Sequence, residues 1–339
     1  MTTNCFNQLV LSSPRRMALP IATYPGLALT GATVREAVNN PQVQFDAVAA
    51  LHERYPCPFV LSAMDLSAEA EAFGCALHVS DNEIPSVTGR LVTSLEEAGK
   101  LPAPQPGDRR TAVYLETVRR LKKLSSRPLV LGGCIGPFSL ASRLVGVSEA
   151  LELTLAEPDL MTAVLEKSAA FLIAYARAFK AAGAGGLIMA EPAAGLLSPR
   201  GLVANSSVYV KRIATAVEDG HFALVLHNCA ARVLHLRAIL ETGVTSFHFG
   251  APMDLPAALG KVSPEVVLCG NLDPAGVFCQ PAPAEVTARA ADLLSRTAAH
   301  RNFVLSSGCD VPASVPLASL DAFYGAVKGA SAFIPAAAP

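Results

Sequence analysis

His227 and Cys229 lie two positions apart, where the apolar run "FALVLHN" at 222–228 gives way to small residues. In extended chain the side chains at i and i+2 leave the same face, so an imidazole and a thiol can converge on one point. Cys309 follows far along the chain, after "LSSG", and Gly308 before it permits a tight turn. One imidazole and two thiolates suit Zn2+, and three protein ligands with an open fourth position is the arrangement of catalytic zinc sites. The competing reading packs Cys229 and Cys309 as small buried residues and satisfies His227 with a backbone carbonyl.

Other polar residues also end apolar runs. Asp65 closes "VLSAMD" and Glu191 closes "LIMAE". A lone buried carboxylate is costly, so such a group has a partner or a purpose. Both are candidate acid–base or positioning residues. Against this, Asp65 stands where it could cap a helix over "LSAEAEAF", and Glu191 could serve in a structural ion pair. Tyr24, Asn271 and Asp310 complete the set as candidate pocket residues, and His248 also stands at a strand end. Cys134 and Cys269 also sit near strand ends and read as buried packing. The glycine clusters "GGCIGP" and "GAGG" match neither a phosphate loop nor a dinucleotide fingerprint, and no G-x-S-x-G is present.

These residues need a frame that gathers strand ends. Eight short runs supply one: 17–24, 58–65, 128–133, 185–191, 222–228, 245–250, 265–271 and 302–308. They are nearly continuous apolar stretches, the pattern of strands buried on both faces of a parallel sheet. Helical patterns separate them. One follows the first strand and is predicted to break near Pro41, and the clearest begins at Pro158 with Phe171, Tyr175 and Phe179 on one face. Alternation of this kind predicts an α/β fold, a (β/α)8 TIM barrel formed as a single domain over 1–339, with a doubly wound open sheet as the alternative. In such barrels chemistry collects at the C-terminal strand ends, where these candidates lie. Residues 76–107 read as a long excursion after the second strand.

Composition narrows the partners. The chain has 339 residues, 51% hydrophobic and 16% charged, with a formal net charge of −1. No global field favours nucleic acid or an anionic membrane, so recognition rests on local shape and chemistry. No secretory signal or membrane-spanning run is visible, and the eight cysteines are too sparse for a disulfide scaffold. The expected location is cytoplasmic, with reduced thiols.

The motifs "EAFGC" (71–75), "IPSVTGR" (84–90), "GPFSLAS" (136–142), "EPAAGLLSP" (191–199), "LHNC" (226–229), "GNLDP" (270–274) and "SGCDVP" (307–312) run through the chain in order. In these the chain resembles the uroporphyrinogen decarboxylase superfamily, and within it the methylcobamide:coenzyme M methyltransferase branch. The resemblance implies zinc on His227, Cys229 and Cys309, and methylcobalamin or a related corrinoid as methyl donor. It also implies a corrinoid protein docking at the barrel mouth and a small thiol acceptor such as coenzyme M. The decarboxylases proper carry arginines just after the first strand; here that place reads "ATYPG", and Arg15 and Arg16 lie before the strand. A glutamate that serves the branch as fourth ligand falls at Gly250, which leaves His248, water or the substrate thiol for that position. The alternatives are a metal-free decarboxylase and a non-catalytic corrinoid- or metal-binding protein.

Overall fold

The computed structural model describes residues 3–280 and 282–330. Its centre is a seven-stranded, wholly parallel sheet. The strands are β1 (Phe59–Leu61), β4 (Leu129–Ile135), β5 (Gly186–Ala190), β6 (Ala223–Asn228), β7 (Ser246–Phe249), β8 (Val267–Leu272) and β9 (Phe303–Ser307), in that order. Two more, β2 (Ala76–His78) and β3 (Ser86–Thr88), form an antiparallel hairpin of their own. Helices alternate with the parallel strands and cover their outer face, giving the expected (β/α)8 barrel.

The first predicted strand, 17–24, is the exception. It forms only a parallel bridge from Ala18 to Leu305 of β9, with Leu19 N–H donating to the Leu305 carbonyl at 2.9 Å. Pro20 has no N–H to continue a ladder, and Ile21 N–H turns instead to Ser307 Oγ at 3.0 Å. By Tyr24 the chain is already a 3-10 turn, Tyr24–Gly26. The eighth stave is therefore held by one bridge and side-chain bonds beside β9, with no ladder to β1 among the described residues.

The barrel interior is a second apolar cluster, distinct from the one under the helices. Leu131, Ile188, Val225, Val267 and Val304 fill it, and the helix Cys5–Ser12 closes its lower end with Phe6 and Val10. Phe6 meets Phe59 with ring centroids 5.1 Å apart. With that end plugged, the cavity of the barrel lies at the C-terminal strand ends.

Local expectations about the helices hold. Asn40 separates the helices Val34–Asn39 and Pro41–Arg54 and caps the second with its side chain. The helix Pro158–Ala181 stacks Phe171 on Tyr175 and Tyr175 against Phe179, at 5.5 and 4.6 Å. The excursion 76–107 carries the hairpin and the helix Leu95–Lys100, and hairpin residues Ile84 to Val87 edge the barrel mouth.

Candidate metal centre and cavity

Strand β6 delivers His227 to the barrel mouth, and the chain turns at once. Asn228 Oδ1 accepts from the N–H groups of Ala230 and Ala231, at 3.1 and 2.9 Å, which directs Cys229 across the strand end. Strand β9 brings Cys309 to the same place. Two glycines allow the approach. A Cβ at Gly250 would lie 2.0 Å from the Cys229 carbonyl oxygen, and one at Gly308 would lie 2.8 Å from the Ala251 nitrogen. The ligand atoms of His227, Cys229 and Cys309 consequently all fall within 4.8 Å of one another. The crowding at Gly250 also means that no side chain, glutamate included, fits there without moving the Cys229 backbone.

Proton positions around His227 follow from its neighbours. Ser306 Oγ donates to the Leu19 carbonyl, which can only accept, so Ser306 in turn accepts from His248 Nε2 at 2.6 Å. Burial and the neighbouring His227 hold His248 well below the usual imidazole range, hence neutral, so its Nδ1 is bare. That nitrogen accepts from His227 Nδ1 at 2.8 Å, and His227 Nδ1 also faces the His248 carbonyl at 3.3 Å. His227 Nε2 is therefore the lone-pair nitrogen, buried and without any hydrogen-bond partner. A relay of this kind orients a ligating imidazole and fixes its tautomer.

The two thiols are coupled. Beside Cys309 the Cys229 thiol is pulled down to about 7, while Cys229 and burial push the Cys309 thiol up to about 12 against the opposing effect of His227. Cys134 and Cys269 are fully buried and pushed up by desolvation, as inert packing residues are. No cysteine is disulfide-bonded. An orphaned imidazole nitrogen aimed at a thiol pair fits a soft divalent metal such as zinc.

The remaining candidates divide. Asp310 lines the cavity beside the thiols; its Oδ1 has no partner, and burial followed by the charge of Cys309 raises its carboxyl well above the usual range. His248 does not reach the fourth position, because both its ring nitrogens are engaged behind His227. Asn271 donates to the Gly250 and Met253 carbonyls, at 2.8 and 2.6 Å, and braces the loop after β7. Tyr24 is buried, and its hydroxyl donates to the Met64 carbonyl at 3.2 Å.

The two carboxylates expected to work as acid–base groups are committed elsewhere. Glu191 accepts from Phe138 N–H, Ser139 N–H, Ser139 Oγ and Ser206 Oγ, between 2.7 and 3.0 Å, and so caps the helix Pro137–Val145. Asp65 accepts from Arg110, Tyr114 and Ser67 in a closed buried network that Glu71 extends. Neither lines the cavity. Sequence reasoning missed Arg110, Tyr114, Ser139 and Ser206, whose positions carry no local signal. It also missed Arg143, which does carry one: a cation inside the otherwise apolar or small helix "PFSLASRLV".

The cavity above the cluster holds about 290 Å3 and is lined by His227, Cys229, Cys309, Asp310, Arg143 and mostly apolar neighbours such as Met64. A uroporphyrinogen decarboxylase (URO-D) family model matches residues 18–330. The chain belongs to the uroporphyrinogen decarboxylase family. Among its relatives, the methylcobamide:CoM methyltransferase MtbA of Methanosarcina mazei is 31% identical over 268 residues, covering 78% of this chain and 77% of the relative. The MtbA of Methanosarcina acetivorans is 27% identical, over 91% of this chain and 90% of its own. The uroporphyrinogen decarboxylase of Ectopseudomonas mendocina is 26% identical, over 87% and 85%. A solved methyltransferase from Methanosarcina mazei superposes with a TM-score of 0.85 at 23% identity, covering 95% of this chain and 97% of its own, a likeness of fold. These relatives are methyltransferases and decarboxylases, so the family context is enzymatic. No helix among the described residues is long and apolar enough to cross a membrane.

Proposed function

We propose that this chain is a zinc-dependent methyltransferase that moves a methyl group from a protein-bound methylcobamide to a small thiol such as coenzyme M. The observation that carries the reading is the bare Nε2 of His227 facing two thiols at the floor of the cavity. His227, Cys229 and Cys309 would hold the metal. Zinc there would supply the Lewis acidity that favours the thiolate, the nucleophilic form of the acceptor sulfur. The Ser306–His248 relay holds the imidazole with its lone pair toward the thiols, and Gly250 and Gly308 keep the strand ends close. Asp310 offers the acceptor a hydrogen bond from within the cavity.

In the reaction the acceptor sulfur forms a bond to the methyl carbon as the cobalt–carbon bond breaks. The bonding electron pair stays on cobalt, and the thiol proton leaves to solvent. A cavity of about 290 Å3 lies at the small end of ligand sites, suited to a short thiol and too small for a corrin ring. The corrinoid would accordingly lie over the mouth, presented by a partner protein. MtbA relatives, named for methyl transfer from methylcobamide to CoM, support the same choice.

A decarboxylase of polycarboxylates would need several cations around its substrate. Arg16, before the first strand, instead donates to the Thr297, Ala298 and His300 carbonyls at the plugged end. The test is turnover of methylcobalamin with a panel of thiols, followed by the loss of methyl–cobalt absorbance. Demethylation with at least one small thiol is expected; none with any thiol would remove the proposal.

A further inference from the structure

Two arginines are withdrawn from solvent around the cavity, and they are treated differently. Arg110 is ion-paired to Asp65 and Glu71, and it also donates to Ser67. Arg143, half-buried in the last turn of the helix Pro137–Val145, lines the cavity and has no side-chain hydrogen bond or ion pair. Asp65 is the one acidic group whose charge it senses, and that carboxylate is already occupied by Arg110, Tyr114 and Ser67. Desolvation lowers Arg143 below the ordinary arginine range, so its guanidinium loses water without gaining a protein anion. Withdrawing a cation from water without pairing it is costly, and such a group is retained where a ligand completes it.

The surroundings define that ligand. Among the described residues lining the cavity, Arg143 is the one arginine or lysine, and the same space is lined by the His227, Cys229 and Cys309 cluster. Most of the other lining residues are apolar, including Ile21, Met64 and Ala190. A molecule that engages both therefore carries a sulfur and one compact anionic group, joined by a short apolar linker. Guanidinium groups favour planar or tetrahedral oxyanions through paired N–H donors.

We propose that Arg143 is the specificity determinant of the acceptor site, selecting thiols whose far end carries a single sulfonate or carboxylate. This rests on the methyl-transfer reading above for the identity of the sulfur end, while the anion end stands on the cavity alone.

Two measurements separate the two ideas. In the first, ethanesulfonate and its neutral counterpart ethyl methyl sulfone, neither of them a thiol, are titrated by ligand-observed NMR against wild-type protein, Arg143→Gln and Arg143→Lys. Wild type is expected to hold the sulfonate about fivefold more tightly or better. Arg143→Gln removes the difference and Arg143→Lys keeps part of it. Wild-type discrimination surviving in Arg143→Gln, or absent from wild type, overturns the assignment. In the second, kcat/KM with methylcobalamin is compared for 2-mercaptoethanesulfonate, 3-mercaptopropionate and 2-mercaptoethanol. The anionic-over-neutral ratio should be about tenfold in wild type and near one in Arg143→Gln. If no thiol is methylated but sulfonate binding still depends on Arg143, the methyl-transfer reading fails and the anion site stands. If thiols are methylated with a ratio that Arg143→Gln does not change, the anion site fails and methyl transfer stands.

Discussion

Two polar regions lie buried near the barrel mouth, and they are built on opposite principles. In the network around Asp65, each group meets a partner: Arg110, Tyr114 and Ser67 take the carboxylate, and Glu71 takes the remaining face of Arg110. In the cluster at the ends of β6 and β9, satisfaction runs from the Leu19 carbonyl through Ser306 and His248 to His227, and stops there. His227 Nε2 and Asp310 Oδ1 are buried with no partner. The first region is complete without a ligand and spends its interactions on the fold. The second is complete only with one, because an unmet buried polar atom is a standing cost that binding removes.

Substitutions at the two places should therefore separate function from stability. Cys309→Ala is expected to have the largest effect, lowering thiol methylation about a thousandfold or more, beyond the roughly 10–100-fold that partners of a metal ligand carry. Zinc measured by plasma mass spectrometry should fall with it from near-stoichiometric to trace. The unfolding free energy of metal-free protein should change by less than about 1 kcal/mol, since a partly exposed cysteine at the mouth packs little. Large destabilisation of the metal-free form would erase the contrast.

Asp65→Ala should do the reverse. It removes the fully buried partner of Arg110, leaving the partly exposed Glu71 as its one remaining carboxylate, and should cost about 3 kcal/mol in urea unfolding, with zinc content retained. A variant of unchanged stability that has lost turnover would instead return Asp65 to the chemistry.

The smallest effect concerns Glu69, near the Asp65 and Arg110 network. Its Oε1 accepts from Ile135 N–H at 3.1 Å, its Oε2 has no partner, and burial pushes its carboxyl up from 4.5 to about 8. Between those values the unfolded chain has released the proton and the folded chain still holds it. Unfolding then releases a proton, so stability falls as pH rises through this window. Glu69→Gln should flatten that slope, so that the two proteins diverge in stability as pH rises from 5 to 8. Denaturant midpoints taken from pH 5 to 8 would read it, and parallel slopes for the two proteins would count against a protonated Glu69.

The comparison also explains which parts of the site were legible in the chain. Asp65 and Glu191 stand out in sequence because carboxylates end apolar strands, and both are buried as that pattern implies. Their partners are invisible there: Arg110 begins a later helix, and Ser139 and Ser206 come from segments with nothing local to mark them. A buried carboxylate reads the same before its partner is known, so acid–base work and helix capping could not be told apart. Nor could His248 be told from a ligand, since its engagement depends on Ser306 across the barrel.

The chain by itself determined the barrel, because apolar runs separated by amphipathic helices can bury both sheet faces in few other ways. It also marked His227 and Cys229 as a pair able to converge, because side chains at i and i+2 of an extended chain leave the same face. Tertiary structure alone decided the rest. It replaced the first predicted strand by a single bridge at Ala18, since Pro20 cannot continue a ladder. It closed position 250 to any side chain through the approach of the Cys229 backbone. And it left Arg143 without a partner in the cavity, because whether a charge is paired depends on what the fold brings within hydrogen-bonding reach.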